Sequence, residues 1–257
     1  MPEYCKAERD GHILTVTMNR PERMNALHTH AHFEMSEIFD DFEKDPELWV
    51  AIVTGAGDKA FSAGNDLKWQ AEGNPTDSPP AGFAGLVKRY TMTKPVIAAV
   101  NGLAMGGGFE VALACDIIIA AENAFFALPE PRVGLAALAG GLHRLSRQIP
   151  MKQAMGMILT GRRVMAEEGY KLGFVTEVVP EGDALEGAKR WAGLIAECSP
   201  VSIRTSKDVV MRGQEYPSVR EAFDADYQSV AAMRDSLDFI EGPLAFSEKR
   251  APDWKGR

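Results

Sequence analysis

Two glutamates occupy positions where a carboxylate is costly. Glu110 sits in a run of Phe109, Val111, Ala112, Leu113, Ala114 and Cys115, apolar on both sides, directly after Gly106, Gly107 and Gly108. On helical periodicity its side chain faces inward or into a cleft, where burial raises a carboxyl pKa toward values useful for proton transfer. A structural glutamate satisfied by an arginine or by backbone fits the same pattern. Glu130 follows Pro129 and precedes Pro131 in "ALPEPRVGL". The prolines fix φ and hold this side chain's base rigidly, although a surface turn would read alike. Two glycine-rich stretches supply the complementary chemistry. In "FSAGNDLK" the small residues Ser62, Ala63 and Gly64 let a ligand approach backbone N–H groups, and the triple glycine puts further free amides at a helix start. Together these features suit proton transfer beside a carbonyl whose oxygen gains negative charge.

Other chemistries lack their residues. No Gly-Lys-Ser/Thr follows the glycines, and their contiguity does not match a dinucleotide fingerprint. "HTHAH" puts His28 and His32 at ligand spacing on one helix face, but no third ligand accompanies them, so an exposed helix start is expected. His143 has no nucleophile elbow near it, which leaves a Ser-His-Asp triad unsupported. Asp66 reads as a cap or turn residue.

The elements that must carry these groups follow from periodicity. "HILTVTMN", "WVAIVTG", "KPVIAAVNG", "DIIIAAEN" and "AFFAL" are expected strands. "HTHAHFEMSEIFDDFEKD" is an expected helix, with Ala31, Met35, Ile38, Phe39 and Phe42 on one face. Strands alternating with helices predict an α/β class. Residues 71–82, rich in Pro, Gly and polar side chains, read as a mobile loop, either a lid or a plain insertion. After "LGFVTEVVP" the pattern is helical over 183–198, 201–212 and 217–239, which marks a C-terminal subregion from about residue 200.

Net charge bounds the partners. At −8 over 257 residues, the chain lacks the clustered Lys and Arg of a nucleic-acid surface, so small molecules or copies of itself are the expected partners. Arg162, Arg163, Lys249 and Arg250 are local basic sites for an anionic ligand. Cys5, Cys115 and Cys198 are widely spaced and read as reduced thiols of a cytoplasmic protein. The opening residues lack the basic-then-apolar pattern of a leader, and residues 111–128, interrupted by Asp116 and Glu122, are too polar for a membrane span.

The ordered segments "RPERMNAL", "AFSAGNDLK", "KPVIAAVNGLAMGGGFEVALACDIIIA", "FALPEPRVGL" and "AGGLHRL" make the chain resemble the crotonase superfamily, and within it the enoyl-CoA hydratases, from about Gly11 to "FSEKR". The resemblance implies a spiral core of strand-strand-helix units over 1–199 and a helical trimerisation region over 200–257, as a trimer or dimer of trimers. It implies an acyl-CoA thioester as ligand, with no metal and no separate cofactor. It also implies an oxyanion hole made by the backbone N–H groups of Asn65 and Gly107. Glu110 would activate water for attack at C3 and Glu130 would supply the C2 proton. The wording "MILTGRRVMAEEGYKLGFV" and "FALPE" is similar to carnitinyl-CoA dehydratases, which gives a charged acyl group as the alternative; an isomerase or an inactive acyl-CoA or RNA binder are the others.

Coenzyme A and acyl contacts are implied for Arg23, Met24, Ala26, Ala63, Gly64, Asp66, Leu67, Gly106, Pro129, Gly134, Leu138, Phe246 and Lys249, the last two acting from a neighbouring subunit. The chain departs from the family wording in three places. Glu22 replaces a common lysine, His143 a common glutamine, and Ala137 and Leu138 stand at a usual Pro-Gly. Leu138 therefore puts bulk where backbone normally meets the acyl group.

Overall fold

The computed structural model describes residues 3–257. Ten strands form two sheets: β1 (Cys5–Asp10), β2 (Ile13–Met18), β3 (Val50–Gly55), β4 (Ala60–Ser62), β5 (Val96–Val100), β6 (Leu103–Met105), β7 (Ile117–Ala121), β8 (Phe125–Ala127), β9 (Val164–Met165) and β10 (Glu177–Val179). The helices are α1 (Thr29–Lys44), α2 (Leu67–Ala71), α3 (Gly107–Ala114), α4 (Gly141–Gln148), α5 (Met151–Thr160), α6 (Ala166–Leu172), α7 (Ala184–Ala196), α8 (Pro200–Gly213), α9 (Val219–Asp224), α10 (Gln228–Arg234) and α11 (Leu237–Glu248).

The chain steps from one sheet to the other and back. The six-stranded sheet runs β1-β2-β3-β5-β7-β10 and the four-stranded one β4-β6-β8-β9, so β3 and β4, β5 and β6, and β7 and β8 are successive pairs split between them. Helix α2 follows the first pair and α3 the second, which makes the strand-strand-helix spiral. Pairing is parallel except at the edges, where β1 meets β2 and β8 meets β9 antiparallel.

Continuous apolar runs in β3, β5 and β7 reflect cover on both faces. Ala51, Val53, Ala98, Val100, Ile118 and Ala120 point into the main core. Val50, Ile52, Ile97, Ala99, Ile119 and Ala121 point the other way, onto Ala184, Ala188 and Ala192 of α7. That alanine stripe, one residue per turn, lets α7 lie close to the sheet.

The expected strands and α1 are all present, with the five named α1 residues buried. Two expectations are corrected. The helical pattern over 217–239 is three helices, because Ser218 and Ser236 turn their hydroxyls onto the N–H groups of Glu221 and Phe239 and so start new helices, while Ala225 is extended. The helix start at "HTHAH" is not exposed at its first and third histidines: His28 and His32 are buried. His28 Nδ1 caps α1 by accepting from Ala31 N–H (3.2 Å), and His32 Nδ1 accepts from Ala84 N–H (3.1 Å). Burial holds His32 neutral, its pKa pushed down to about 4.

The 71–82 segment carries no regular structure beyond Ala71. Thr29 Oγ1 and Trp69 Nε1 both donate to Pro75 O, which ties it to α1 and α2. No described helix is long and apolar enough to cross a membrane.

Candidate active site

Each of the three glycines has its own reason. Gly106 has φ 52° and ψ −126°, a region closed to side chains, and a β-carbon there would meet Glu130 Oε1 at 3.0 Å. At Gly107 a β-carbon would stand 2.5 Å from Phe83 Cζ, whose ring tip rests on the glycine. At Gly108 it would overlap the carbonyl oxygen of Ser62, so α3 packs backbone to backbone on β4.

The same closeness brings the two glycine-rich loops together. Gly64 (φ +86°) approaches Gly107 so nearly that a β-carbon on it would lie 2.7 Å from Gly107 N and 2.6 Å from Met105 O. Asn65 forms a parallel bridge with Leu27, in which Leu27 N–H donates to Gly64 O (2.8 Å) and Asp66 N–H to Leu27 O (2.9 Å). That pairing uses the groups flanking Asn65 and turns its own N–H to the opposite side. Gly107 is the first residue of α3, so its N–H has no acceptor within the helix and lies at the positive end of the helix dipole. The result is two backbone donors in adjoining loops.

The "RPERMNAL" turn is stitched to this wall. Met24 and Asn25 have positive φ, Met24 O accepts from Ala63 N–H, and Asn25 O accepts from Ser62 Oγ, which in turn accepts from Gly64 N–H. Asp66 caps α2 at Trp69 N–H and pairs with Arg20 at 3.0 Å, both side chains being largely buried. Arg23, Met24, Ala26, Ala63, Gly64, Asn65, Asp66 and Leu67 thus form one continuous ledge beside Gly106 and Gly107.

Glu110, 3 % exposed, points from α3 toward the start of α4, where Gly141 N–H donates to its Oε1 at 2.8 Å. A β-carbon on Gly141 would stand 3.0 Å from the same oxygen. Burial pushes the Glu110 pKa up to about 7; the Gly141 hydrogen bond opposes this and the nearby Glu130 adds to it. Glu130 begins a 3-10 turn ending at Val133, with Pro129 before it and Gly134 (φ +74°) after it. Arg132 anchors that turn by donating Nε and Nη2 to Thr160 O at the end of α5. Burial raises the Glu130 pKa as well, and its buried Oε2 has no hydrogen-bond partner among the described residues.

The structure therefore brings together both glutamates and both glycine-rich loops. Leu138 lies on the stretch between Glu130 and α4 and is 78 % exposed. Phe246 lies near the end of α11 and is 88 % exposed, and Lys249 follows the last residue of that helix. Of the other basic residues, Arg162 is paired with Glu168, Arg250 with Glu241 and Glu248, and Arg163 lies over the Phe125 ring. Among the described residues no His, Cys, Asp and Glu side chains cluster to hold a metal ion. Sequence reading missed Phe83, Arg132 and Arg144, whose significance comes from contacts across the chain.

The family model for enoyl-CoA hydratase/isomerase matches residues 8–257. The chain belongs to the enoyl-CoA hydratase/isomerase, or crotonase, family. Over the full length of both chains it is 45 % identical to the carnitinyl-CoA dehydratase of Escherichia coli (strain K12). Its fold matches that of the enoyl-CoA hydratase from Mycobacterium tuberculosis H37Rv with a TM-score of 0.94 at 36 % identity, covering 100 % of both chains. The carnitinyl-CoA hydratase from Mycobacterium avium matches with a TM-score of 0.79 at 39 % identity over 99 % of each chain. The expected α/β crotonase fold is therefore correct, and the spiral of split strand pairs is how this family member builds it.

Proposed function

We propose that this crotonase-family protein is a hydro-lyase that adds water reversibly to a 2-enoyl-CoA, giving the 3-hydroxyacyl-CoA. The observation that carries the reading is the opposition of a buried and a half-buried carboxyl, both with raised pKa, to two backbone N–H groups in adjoining loops.

The thioester oxygen binds between the N–H groups of Asn65 and Gly107, with the α3 dipole adding to the field. Polarisation of the carbonyl makes C3 electrophilic. Glu110, ionised, takes a proton from water as its oxygen bonds to C3; charge moves to the thioester oxygen as an enolate. Glu130, protonated, gives its proton to C2 as the carbonyl re-forms. After one turnover the proton has changed sides, and exchange with solvent restores the pair. This division needs one proton between two carboxyls; burial raises both pKa values, and the charge of Glu130 raises that of Glu110 further. Dehydration runs the steps in reverse.

Coenzyme A lies along the ledge of Arg23, Met24, Ala26, Ala63, Asp66 and Leu67, while Gly106, Pro129, Gly134 and Leu138 border the acyl end. Phe246 and Lys249 act from a neighbouring subunit of a trimer or dimer of trimers, with residues 200–257 as the assembling region over the 1–199 core. The exposure of the large apolar Phe246 side chain supports this. The protein works in the cytoplasm.

A second reading rests on the 45 % identity to a carnitinyl-CoA dehydratase: the acyl group carries a charge. A panel of enoyl thioesters varying in length, branching and charge separates the two, read by the loss of enoyl absorbance. Preference for a charged acyl group establishes the second reading. Binding without turnover on every thioester removes both.

A further inference from the structure

Arg144 is an anomaly beside the site. It lies in the first turn of α4, and its guanidinium rests on the α-carbon of Gly140, so closely that a β-carbon there would overlap Nη1. A cation at a helix N-terminus opposes the helix dipole, and this one is also half-buried, which costs it hydration. Among the described residues no carboxylate lies within ion-pair distance of it, and the one side-chain hydrogen bond it makes runs from Nη2 to Val87 O at 2.7 Å. Two things set it apart from a misplaced charge. Gly140 immediately precedes the Gly141 N–H that grips Glu110, and Val87 belongs to the segment that presses Phe83 onto Gly107, with Val87 N–H donating to Phe83 O.

We infer that Arg144 is a positioning residue for the hydration site: it braces the N-terminal turn of α4 against residues 83–87 and places a fixed positive charge beside Glu110. The inference rests on the proposed role of Glu110 as the base. The brace keeps the Gly141 amide and the Phe83 ring in register, so one side chain coordinates the grip on the base with the packing behind the oxyanion donor. The charge favours ionised Glu110 against burial and against Glu130, the other charged group acting on it; the remaining polar neighbours, from the segment leading into α4, are the Gly141 and Ala139 amides. Burial lowers the Arg144 pKa, and Tyr90, Cys115 and Glu110 are the groups around the guanidinium that oppose this.

The test compares Arg144→Met and Arg144→Lys. In Arg144→Met, kcat for enoyl thioester hydration falls about tenfold at pH 7 with KM changed less than about threefold, and the acid limb of kcat/KM moves up by about half to one pH unit. Arg144→Lys keeps the acid limb in place and recovers part of kcat, because it restores charge without the planar brace. The Glu110 carboxyl is titrated independently by infrared difference spectroscopy, with Glu110→Gln identifying its band; its midpoint moves up in Arg144→Met whether or not the protein turns over a given thioester. An unmoved midpoint in folded Arg144→Met overturns the inference, as does equal displacement in Arg144→Lys. A moved midpoint without hydration of any thioester keeps the electrostatic coupling and removes only the proposed activity.

Discussion

Substituting Gly64 tests the joint between the two glycine-rich loops. An alanine methyl would lie 2.6 Å from Met105 O, 2.7 Å from Gly107 N and 3.3 Å from Gly107 Cα, against an ordinary contact of about 3.4 Å or more. Both close atoms are backbone, so no side chain can swing aside; the loops must part by roughly 0.7 Å. The φ of +86° adds about 1 kcal/mol of strain for a residue with a β-carbon. Displacing an oxyanion donor by such a distance removes most of its contribution, about 3 kcal/mol, or roughly 100-fold in kcat. Gly64→Ala should therefore lower kcat about 100-fold in the enoyl absorbance assay while KM changes little, since Arg23 and Met24 remain on their own turn. Circular dichroism and the melting temperature establish that the variant is folded. Gly156→Ala is the control: its β-carbon meets nothing within 4 Å in the middle of α5, and it should keep full activity with a gain of about 0.5–1 kcal/mol in stability. A folded Gly64→Ala enzyme with kcat within threefold of the parent would refute the role assigned to the joined amides.

Glu110 also makes stability depend on pH. Its folded pKa of about 7 lies above the ordinary 4.5, so the folded state binds the proton more tightly; the resulting stability is fully present below pH 4.5 and is lost as pH rises through 7. The interval from 4.5 to about 7 corresponds to about 3 kcal/mol, and Glu110→Gln should gain by that order relative to the parent between pH 4.5 and 8 in denaturant titrations; a flat difference would contradict the buried, strained carboxylate. Phe83→Ala should widen the space above Gly107, because the ring tip rests on that glycine. With the packing behind the oxyanion donor loosened, kcat/KM should fall about tenfold across the whole thioester panel, and a parental rate in the folded variant would remove Phe83 from the support of Gly107.

The elements were legible where burial imposes a period. The runs in β3, β5 and β7 announce strands covered on both faces, and the α1 stripe announces a helix on the main core. Strand β1 was not, because five of its six residues are exposed and its charged sequence reads as loop; edge pairing with β2 is what makes it a strand. His28 and His32 misled for a related reason: polar side chains at a helix start suggest water, while their ring nitrogens serve buried backbone amides donated by Ala31 and, 52 residues away, Ala84. In the site, both glutamates and the glycines were visible as chemistry out of place. What could not be read was why each glycine is required. Phe83, Ser62 and Glu130 come from three different parts of the chain, and each fills the space of a different missing β-carbon. Arg132 and Arg144 stayed hidden likewise, since their partners are carbonyls of Thr160 and Val87, and carbonyls leave no sequence mark.

The two-carboxylate account is tested most directly by hydration kinetics of Glu110→Gln and Glu130→Gln on the thioester the parent prefers. Both amides preserve shape, and the Glu110→Gln side chain retains an oxygen to accept from the Gly141 amide, so folding should hold. The account predicts that each variant loses at least about 100-fold in kcat, with thioester binding retained, because each removes one proton-transfer partner. Near-parental turnover in either folded variant would contradict it.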